Sequence, residues 1–260
     1  MALPRREHAR ARRAYGQNFL SDPSAVRRLV AAAELRDDDL VYEVGAGRGR
    51  LTTELAGYCR ALIAYEVDPA LAAGLPRLPG LTVRAEDFLR AVPPGEPFQV
   101  VGNIPYALTS AVVDWCLRAP TLTAATLLTQ LEYARKRTGD YGRWTRLTIS
   151  SWPEMSWQLA GRIPRAAFRP VPAVDSGILR LVRRPHPLVQ PDALPAYQRF
   201  VELGFTGLGG SLEATLTRRY GHRRVSGALR AARLRPDLPV GFVWPEQWLT
   251  LFRILQAPRR

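Results

Sequence analysis

Residues 103–106 read Asn-Ile-Pro-Tyr and follow directly on the run "FQVVG" at 98–102. Asn is a poor strand residue and Pro cannot donate to a ladder, so a strand ends here at a stiff corner. The Ile-Pro link restricts the backbone on both sides of the bond, which holds the Asn103 amide and the Tyr106 ring side by side. An amide oxygen and a backbone carbonyl fixed in this way can accept both hydrogens of an exocyclic NH₂ group, whose lone pair is otherwise delocalised into its ring. Two acceptors draw that nitrogen toward a pyramidal, nucleophilic form and stabilise the positive charge it gains as it attacks. Alignment of amine and electrophile supplies a further part of the rate. Tyr106 offers a face on which the base can stack, a contact worth ~1–3 kcal/mol. A base reaches such a pocket most easily from an unpaired loop.

Three further strand ends carry matching groups. "EVGAGRG" places Gly45, Gly47 and Gly49 after one apolar run, where glycine lets backbone approach a ligand closely. Glu66 ends the next run, 21 residues after Gly45, in the position that binds ribose hydroxyls. Asp87 ends a third, in "AEDFL", and can accept from an adenine amino group. Together with Asn103 they describe a nucleoside site at the carboxyl ends of a parallel sheet. A dinucleotide has a pyrophosphate and the fingerprint G-x-G-x-x-G; here the spacing is G-x-G-x-G, followed by Arg50. S-adenosylmethionine (SAM) has no phosphate and carries a positive sulfonium, which an acidic rim of Glu43, Glu66 and Asp87 suits better. The spacing tilts toward SAM and leaves a nicotinamide oxidoreductase, which would also need a placed proton donor, as the disfavoured reading.

These groups need an alternating scaffold to position them. Apolar strand-like runs at 40–47, 61–68, 81–89, 98–103 and 122–130 alternate with helical stretches, which predicts a parallel sheet covered on both faces. A segment at 139–153 reads as helical after a Gly-Asp turn. "SWQLAGRIP" and "SGILRLVRRP" read as a late antiparallel pair at one sheet edge. A Pro-rich linker at 183–195 precedes helical periodicity to the end of the chain. The fold class is α/β, a Rossmann-like domain with a small C-terminal helical domain that is marginal on its own.

"GQNFL", "YEVGAGRGRLT", "AYEVD", "AEDFL", "GNIPY" and "FRPVPAVDSGIL" occur in this order between positions 16 and 179. Together they resemble the rRNA adenine N6-dimethyltransferase family, which includes the erythromycin-resistance (Erm) enzymes of the large-subunit RNA and the dimethyladenosine transferases of the small-subunit RNA. The resemblance covers about 180 residues and implies SAM as cofactor. It further implies that Asn18 and Leu20 fold over the cofactor, with Gly45 on its methionine side. Glu66 then takes the ribose, Asp87 the adenine, and Asn103 both cofactor and target amine. Ile104 supplies the carbonyl, Tyr106 the stack, and Phe168 a second aromatic wall whose alternative is a core Phe. "NIPY", the short tail and the Arg-rich start resemble the Erm branch. The implied activity is mono- or dimethylation of one 23S rRNA adenine, conferring macrolide, lincosamide and streptogramin B resistance. The alternatives are a 16S rRNA adenine dimethyltransferase and a non-catalytic RNA-binding protein on the same fold. The implied organisation is a basic arm at 1–15, a SAM-dependent methyltransferase domain at 16–184 and a helical RNA-binding domain at 192–260.

The charge agrees with an RNA partner. The chain carries 37 Lys and Arg against 23 Asp and Glu, for a net +14, and Lys136 is its single lysine. Coding bias explains Arg in place of Lys but not the imbalance, which fits a phosphate-binding surface. Basic clusters lie at 5–13, 134–146, 161–169 and 218–224, with Trp144 among arginines as a stacking platform. Any one cluster alone also reads as a solvated face. Cys59 and Cys116 are too few for a disulfide framework and lack metal-ligand spacing, and His8, His186 and His222 are scattered. No metal is expected. Without a membrane-length apolar run or a secretory h-region, the chain reads as a cytoplasmic, monomeric protein.

Overall fold

The computed structural model describes residues 18–257. The expected arm at 1–15 and the cluster at 5–13 lie outside the described residues. Packing divides the chain into two units, residues 18–134 with 158–182, and residues 135–157 with 183–257.

The first unit contains β1 (Phe19–Leu20), α1 (Pro23–Ala33), β2 (Leu40–Val44), α2 (Arg50–Leu55), β3 (Ala61–Tyr65), α3 (Pro69–Ala73), β4 (Leu81–Arg84), β5 (Phe98–Asn103), α4 (Thr109–Arg118) and β6 (Leu122–Gln130). After α5 (Leu131–Arg137) leads away, the chain returns through β7 (Met155–Ile163), β8 (Phe168–Arg169) and β9 (Ser176–Arg183). Seven strands form one sheet in the order β4-β3-β2-β5-β6-β9-β7. Strands β4 to β6 in that order pair in parallel, and β9 runs antiparallel to β6. The chain builds outward from β2 in one direction and from β5 in the other, so a topological switch lies between them, where open α/β sheets bind ligands. Both strands are buried on both faces up to Asn103, as helix-covered parallel strands must be. Gly102 lets them approach, since a Cβ there would lie 2.8 Å from the Val44 carbonyl oxygen.

Helix α1 begins where the Asp22 carboxylate accepts from the Ser24 N–H and Pro23 fills the first turn. Its buried stripe of Ala25, Val26, Leu29, Val30 and Ala33 seals one sheet face. A short pair that sequence periodicity did not reveal, β1 with β8, sets Phe19 opposite Arg169 and Leu20 opposite Phe168. Two residues per strand are too few for a period to register.

The second unit has its own core. Helices α6 (Arg146–Ser151), α7 (Leu194–Phe205), α8 (Leu212–Tyr220), α9 (His222–Ala231) and α10 (Pro245–Gln256) bury Tyr197, Phe200, Leu216 and Trp248. Trp144 and Ile149 join that core, and the Tyr197 hydroxyl donates to the Ile149 carbonyl at 3.1 Å. The helical unit resumes at Arg183, beside the boundary expected at 184, and what differs is that residues 135–157, expected within the domain at 16–184, pack with the helical unit. The helix expected over 139–153 shortens to α6, since Gly139, Tyr141 and Gly142 all adopt positive φ. Trp144, expected as a stacking platform, is only 8% exposed. Its ring lies against Gly139, where a Cβ would come within 2.3 Å.

Candidate nucleotide and amine site

A cavity of about 380 Å³ opens at the carboxyl ends of β2, β3 and β5 in the first unit. Gly45, Glu66, Asp87, Asn103, Ile104, Tyr106 and Phe168 all line it, as does Asn18. Leu20 does not. Its side chain is buried among Leu29, Val30 and Phe168, and Phe19 faces the cavity instead. Adjacent strand residues point to opposite faces, so this stretch offers one or the other. The Arg48 guanidinium covers Phe19 at 4.9 Å, and a Cβ on Gly47 would meet the same ring at 3.1 Å.

The glycine turn is tied to the end of β3 by one carboxylate. Glu66 is 2% exposed. Its two oxygens accept the Gly47 N–H at 2.8 Å and the Asp68 N–H at 2.9 Å. Gly45 at φ +72° turns the chain there, in a region that L side chains avoid. Asp87 accepts from the Leu89 N–H at 3.0 Å, and its second oxygen has no hydrogen-bond partner among the described residues. Val67 and Leu89 add apolar walls that sequence reading missed. The signal was present: Val67 is an apolar residue directly after the Glu66 carboxylate, and it is left exposed.

The corner that follows β5 is held from two sides. The Asn103 Nδ2 donates to the Asn18 carbonyl at 2.8 Å, which orients the amide and leaves Oδ1 as the acceptor. Ile104 has its side chain in the core, so the polar group it contributes is its carbonyl. The Tyr106 hydroxyl meets the Ser176 hydroxyl at 2.9 Å, and burial pushes its acidity further from neutrality. Phe168 is 1% exposed yet lines the cavity, so both of its expected readings, wall and core, describe one ring. The guanidiniums of Arg165 and Arg169 donate to the carbonyls of Ala173 and of Ala166 and Phe168, which braces the loop that carries this ring.

Glu43, expected in the acidic rim, is instead fully buried as the next-to-last residue of β2. Neither of its oxygens makes a hydrogen bond of ordinary geometry among the described residues. Burial raises its pKa to about 8, the Thr52 hydroxyl offsets part of that, and the nearby Glu66 charge adds to it. From about pH 4.5 to about 8 the unfolded chain has lost this proton and the folded chain keeps it. Stability therefore falls as pH rises across that window, by up to about 1.4 kcal/mol per pH unit. Glu43→Gln cannot ionise, so thermal melts of the variant should show a flatter fall and a higher Tm than wild type near pH 8. Parallel curves for the two proteins would contradict a protonated Glu43.

Two arrangements of charge decide the ligand class. The cavity is lined by Glu66, Glu86 and Asp87, and no Lys, Arg or His is among its lining residues. A pyrophosphate would meet only carboxylates there, whereas an adenosine bearing a sulfonium meets groups of complementary charge. These residues fit SAM. Among the described residues, no group of His, Cys, Asp and Glu could hold a metal ion, and no helix is long and apolar enough to cross a membrane.

Residues 8–257 match the family described as ribosomal RNA adenine dimethylase. The chain is 51% identical to an rRNA adenine N-6-methyltransferase of Saccharopolyspora erythraea, over 97% of this chain and 68% of that protein. It is 35% identical to the mycinamicin-resistance protein MyrB of Micromonospora griseorubida, over 98% of this chain and 85% of that protein. Among solved structures, the 23S rRNA methyltransferase ErmE superposes with a TM-score of 0.90 at 51% identity, covering 92% of this chain and 100% of that one.

Proposed function

Because the chain belongs to the ribosomal RNA adenine dimethylase family, we propose that it methylates N6 of one adenine in 23S rRNA with SAM as methyl donor, and thereby confers resistance to macrolides, lincosamides and streptogramin B. The observation that carries this reading is a cation-free, carboxylate-lined cavity that ends at a corner with an uncommitted Asn103 oxygen. The large-subunit target is favoured by the similarity to the 23S rRNA methyltransferase ErmE, and the resistance by the similarity to MyrB.

SAM supplies an electrophilic methyl group. Glu66 holds the ribose hydroxyls, Asp87 receives the adenine amino group, and Gly45 and Asn18 leave room for the methionine end. Asn103 Oδ1 and the Ile104 carbonyl accept the two hydrogens of the target amine. Their negative ends are already aimed at the nitrogen when its positive charge develops, so no reorganisation is needed at that moment. Tyr106 and Phe168 hold the ring of the flipped base. The exposed arginines of the chain bind phosphates on either side of the target.

On this reading the Tyr106 ring matters more than its hydroxyl, which points at Ser176. Tyr106→Ala should lower kcat/KM for RNA by roughly 10–100-fold, as the loss of a base stack costs ~1–3 kcal/mol. Tyr106→Phe should stay within about threefold of wild type, since it gives up one hydrogen bond within the protein. Equal damage from both changes would assign the role to the hydroxyl.

The function is tested by incubating the protein and labelled SAM with deproteinised 23S and 16S rRNA, then mapping the modified base. Label at one adenine of 23S rRNA is expected. Label confined to 16S rRNA would identify the small-subunit alternative. SAM uptake with no label in either RNA would leave a binding protein.

A further inference from the structure

We propose that Trp244, on the helical unit, is a second stacking platform that receives an unpaired base of the RNA substrate outside the catalytic cavity. This inference rests on the reading of RNA as substrate. The Trp244 ring is 52% exposed, unusual for a residue with so much apolar surface to hide. It is also held in place. One side leans on the buried Trp144 with ring centroids 5.5 Å apart, and Trp144 in turn meets Trp152 at 5.5 Å. The Trp244 backbone N–H donates to the Gln247 Oε1 at 2.9 Å, and the Gln247 Nε2 donates to the Ala232 carbonyl at 3.0 Å, which fixes the backbone that carries the ring. Pro245, buried at the start of α10, restricts the backbone that presents the ring. A flat ring fixed in this way spends little entropy on capturing another flat ring.

The chemistry around it selects the partner. The Arg143 guanidinium lies 4.9 Å over the Phe242 ring, two residues before Trp244, and the Arg184 guanidinium lies 5.0 Å over Trp152. An aromatic ring beneath a guanidinium fixes its plane, and the Arg143 N–H edges stay available for phosphate, whereas the Arg184 Nε already donates to the Trp152 carbonyl at 3.0 Å. Fixed aromatic faces interleaved with arginine suit a single strand of nucleic acid, in which bases and phosphates alternate. Protein interfaces are also enriched in Trp and Arg, and it is the chain's net charge of +14 that favours a nucleic acid here. One carboxylate, Glu246, acts on Arg184 and occupies the first turn of α10, where it also complements the helix dipole. The basic cluster expected at 218–224 is a weaker candidate, because Arg224 is committed to the carbonyls of Ile254, Leu255 and Ala257 at the end of α10.

The test compares wild type, Trp244→Ala and Trp244→Phe by filter binding to a hairpin RNA of 23S sequence that contains the methylated adenine and unpaired neighbours. Affinity for S-adenosylhomocysteine and the Tm are measured in parallel. Trp244→Ala should weaken RNA binding by roughly tenfold or more, and Trp244→Phe by less than about threefold. Nucleoside affinity should not move, and neither should the slope of affinity against salt, because stacking releases no counterions. The Tm should fall modestly in Trp244→Ala, which gives up the packing on Trp144, and stay near wild type in Trp244→Phe. Arg143→Gln should instead lower that slope by about one. Unchanged RNA affinity in Trp244→Ala would overturn the proposal and leave the patch to a protein partner. Equal losses in the Ala and Phe variants would also overturn it. A wild-type protein that neither binds nor methylates the RNA would sink the functional reading itself, a result distinct from either.

Discussion

Asn103→Ala is expected to slow methyl transfer to RNA by about 10²–10³-fold, the usual cost of removing one group aimed at charge that develops in a transition state. Affinity for SAM should fall by about tenfold or less, because Glu66, Asp87 and the glycine turn remain. Asn103→Ala removes both ends of an amide whose two ends have different duties, so a second variant is needed to separate them. Its Nδ2 holds the Asn18 carbonyl at 2.8 Å and so fixes the segment that closes over the cavity. Its Oδ1 has no partner among the described residues and is the end we assign to the amine. Asn103→Asp isolates the first duty, since a carboxylate keeps an acceptor but cannot donate to Asn18 and would repel that carbonyl. The Asp variant should therefore lose more nucleoside affinity than the Ala variant, through repulsion of the Asn18 carbonyl, and less of the rate at saturating SAM, because it keeps an acceptor. Single-turnover kinetics with saturating SAM, beside calorimetric titration of S-adenosylhomocysteine, read the two quantities independently. An Asn103→Ala protein that methylates RNA within tenfold of the wild-type rate would show that the amide oxygen does not carry the chemistry.

Glu66→Gln should weaken SAM binding by about 100-fold and lower the Tm as well. The carboxylate accepts the Gly47 and Asp68 N–H groups through separate oxygens. Glutamine has one oxygen, so its NH₂ must confront one of those two buried donors, and an unpaired buried N–H costs ~1–3 kcal/mol. The same change removes the negative charge offered to the ribose hydroxyls, where charged hydrogen bonds are roughly twice as strong as neutral ones. Calorimetry and thermal melting report the two losses separately. A lower Tm with SAM affinity within twofold of wild type would make Glu66 a brace for the glycine turn and not a ligand.

Much of the site was legible because strand ends carry unusual residues for physical reasons. Asn103 before Ile-Pro, the glycines after β2, and the carboxylates after β3 and β4 are all poor strand formers, so their presence at successive strand ends points to a ligand. The structure brings Gly45, Glu66, Asp87 and Asn103 to one cavity. What sequence missed has equally physical causes. Phe19 and Leu20 are neighbours on opposite faces of a two-residue strand, and only the β8 pairing decides which one looks into the cavity. Glu43 sits one residue before the strand's last and so reads as rim, but the parallel sheet buries it completely. Trp144 lies among arginines in sequence, whereas the arginines nearest Trp244, Arg235 and Arg253, are each nine residues away. Which ring is covered depends on the contact of Gly139 with Trp144, between residues whose approach no local pattern encodes. The excursion at 135–157 likewise carries ordinary helical periodicity, which says that it packs but not on which core.

Diffraction from crystals grown with S-adenosylhomocysteine tests the central claim most directly. The expected density shows the ribose on Glu66, the adenine beside Asp87 and the sulfur turned toward the corner formed by Asn103 and Tyr106. A ligand seated outside this cavity, or a sulfur turned away from that corner, would contradict the assignment of Asn103 to the amine.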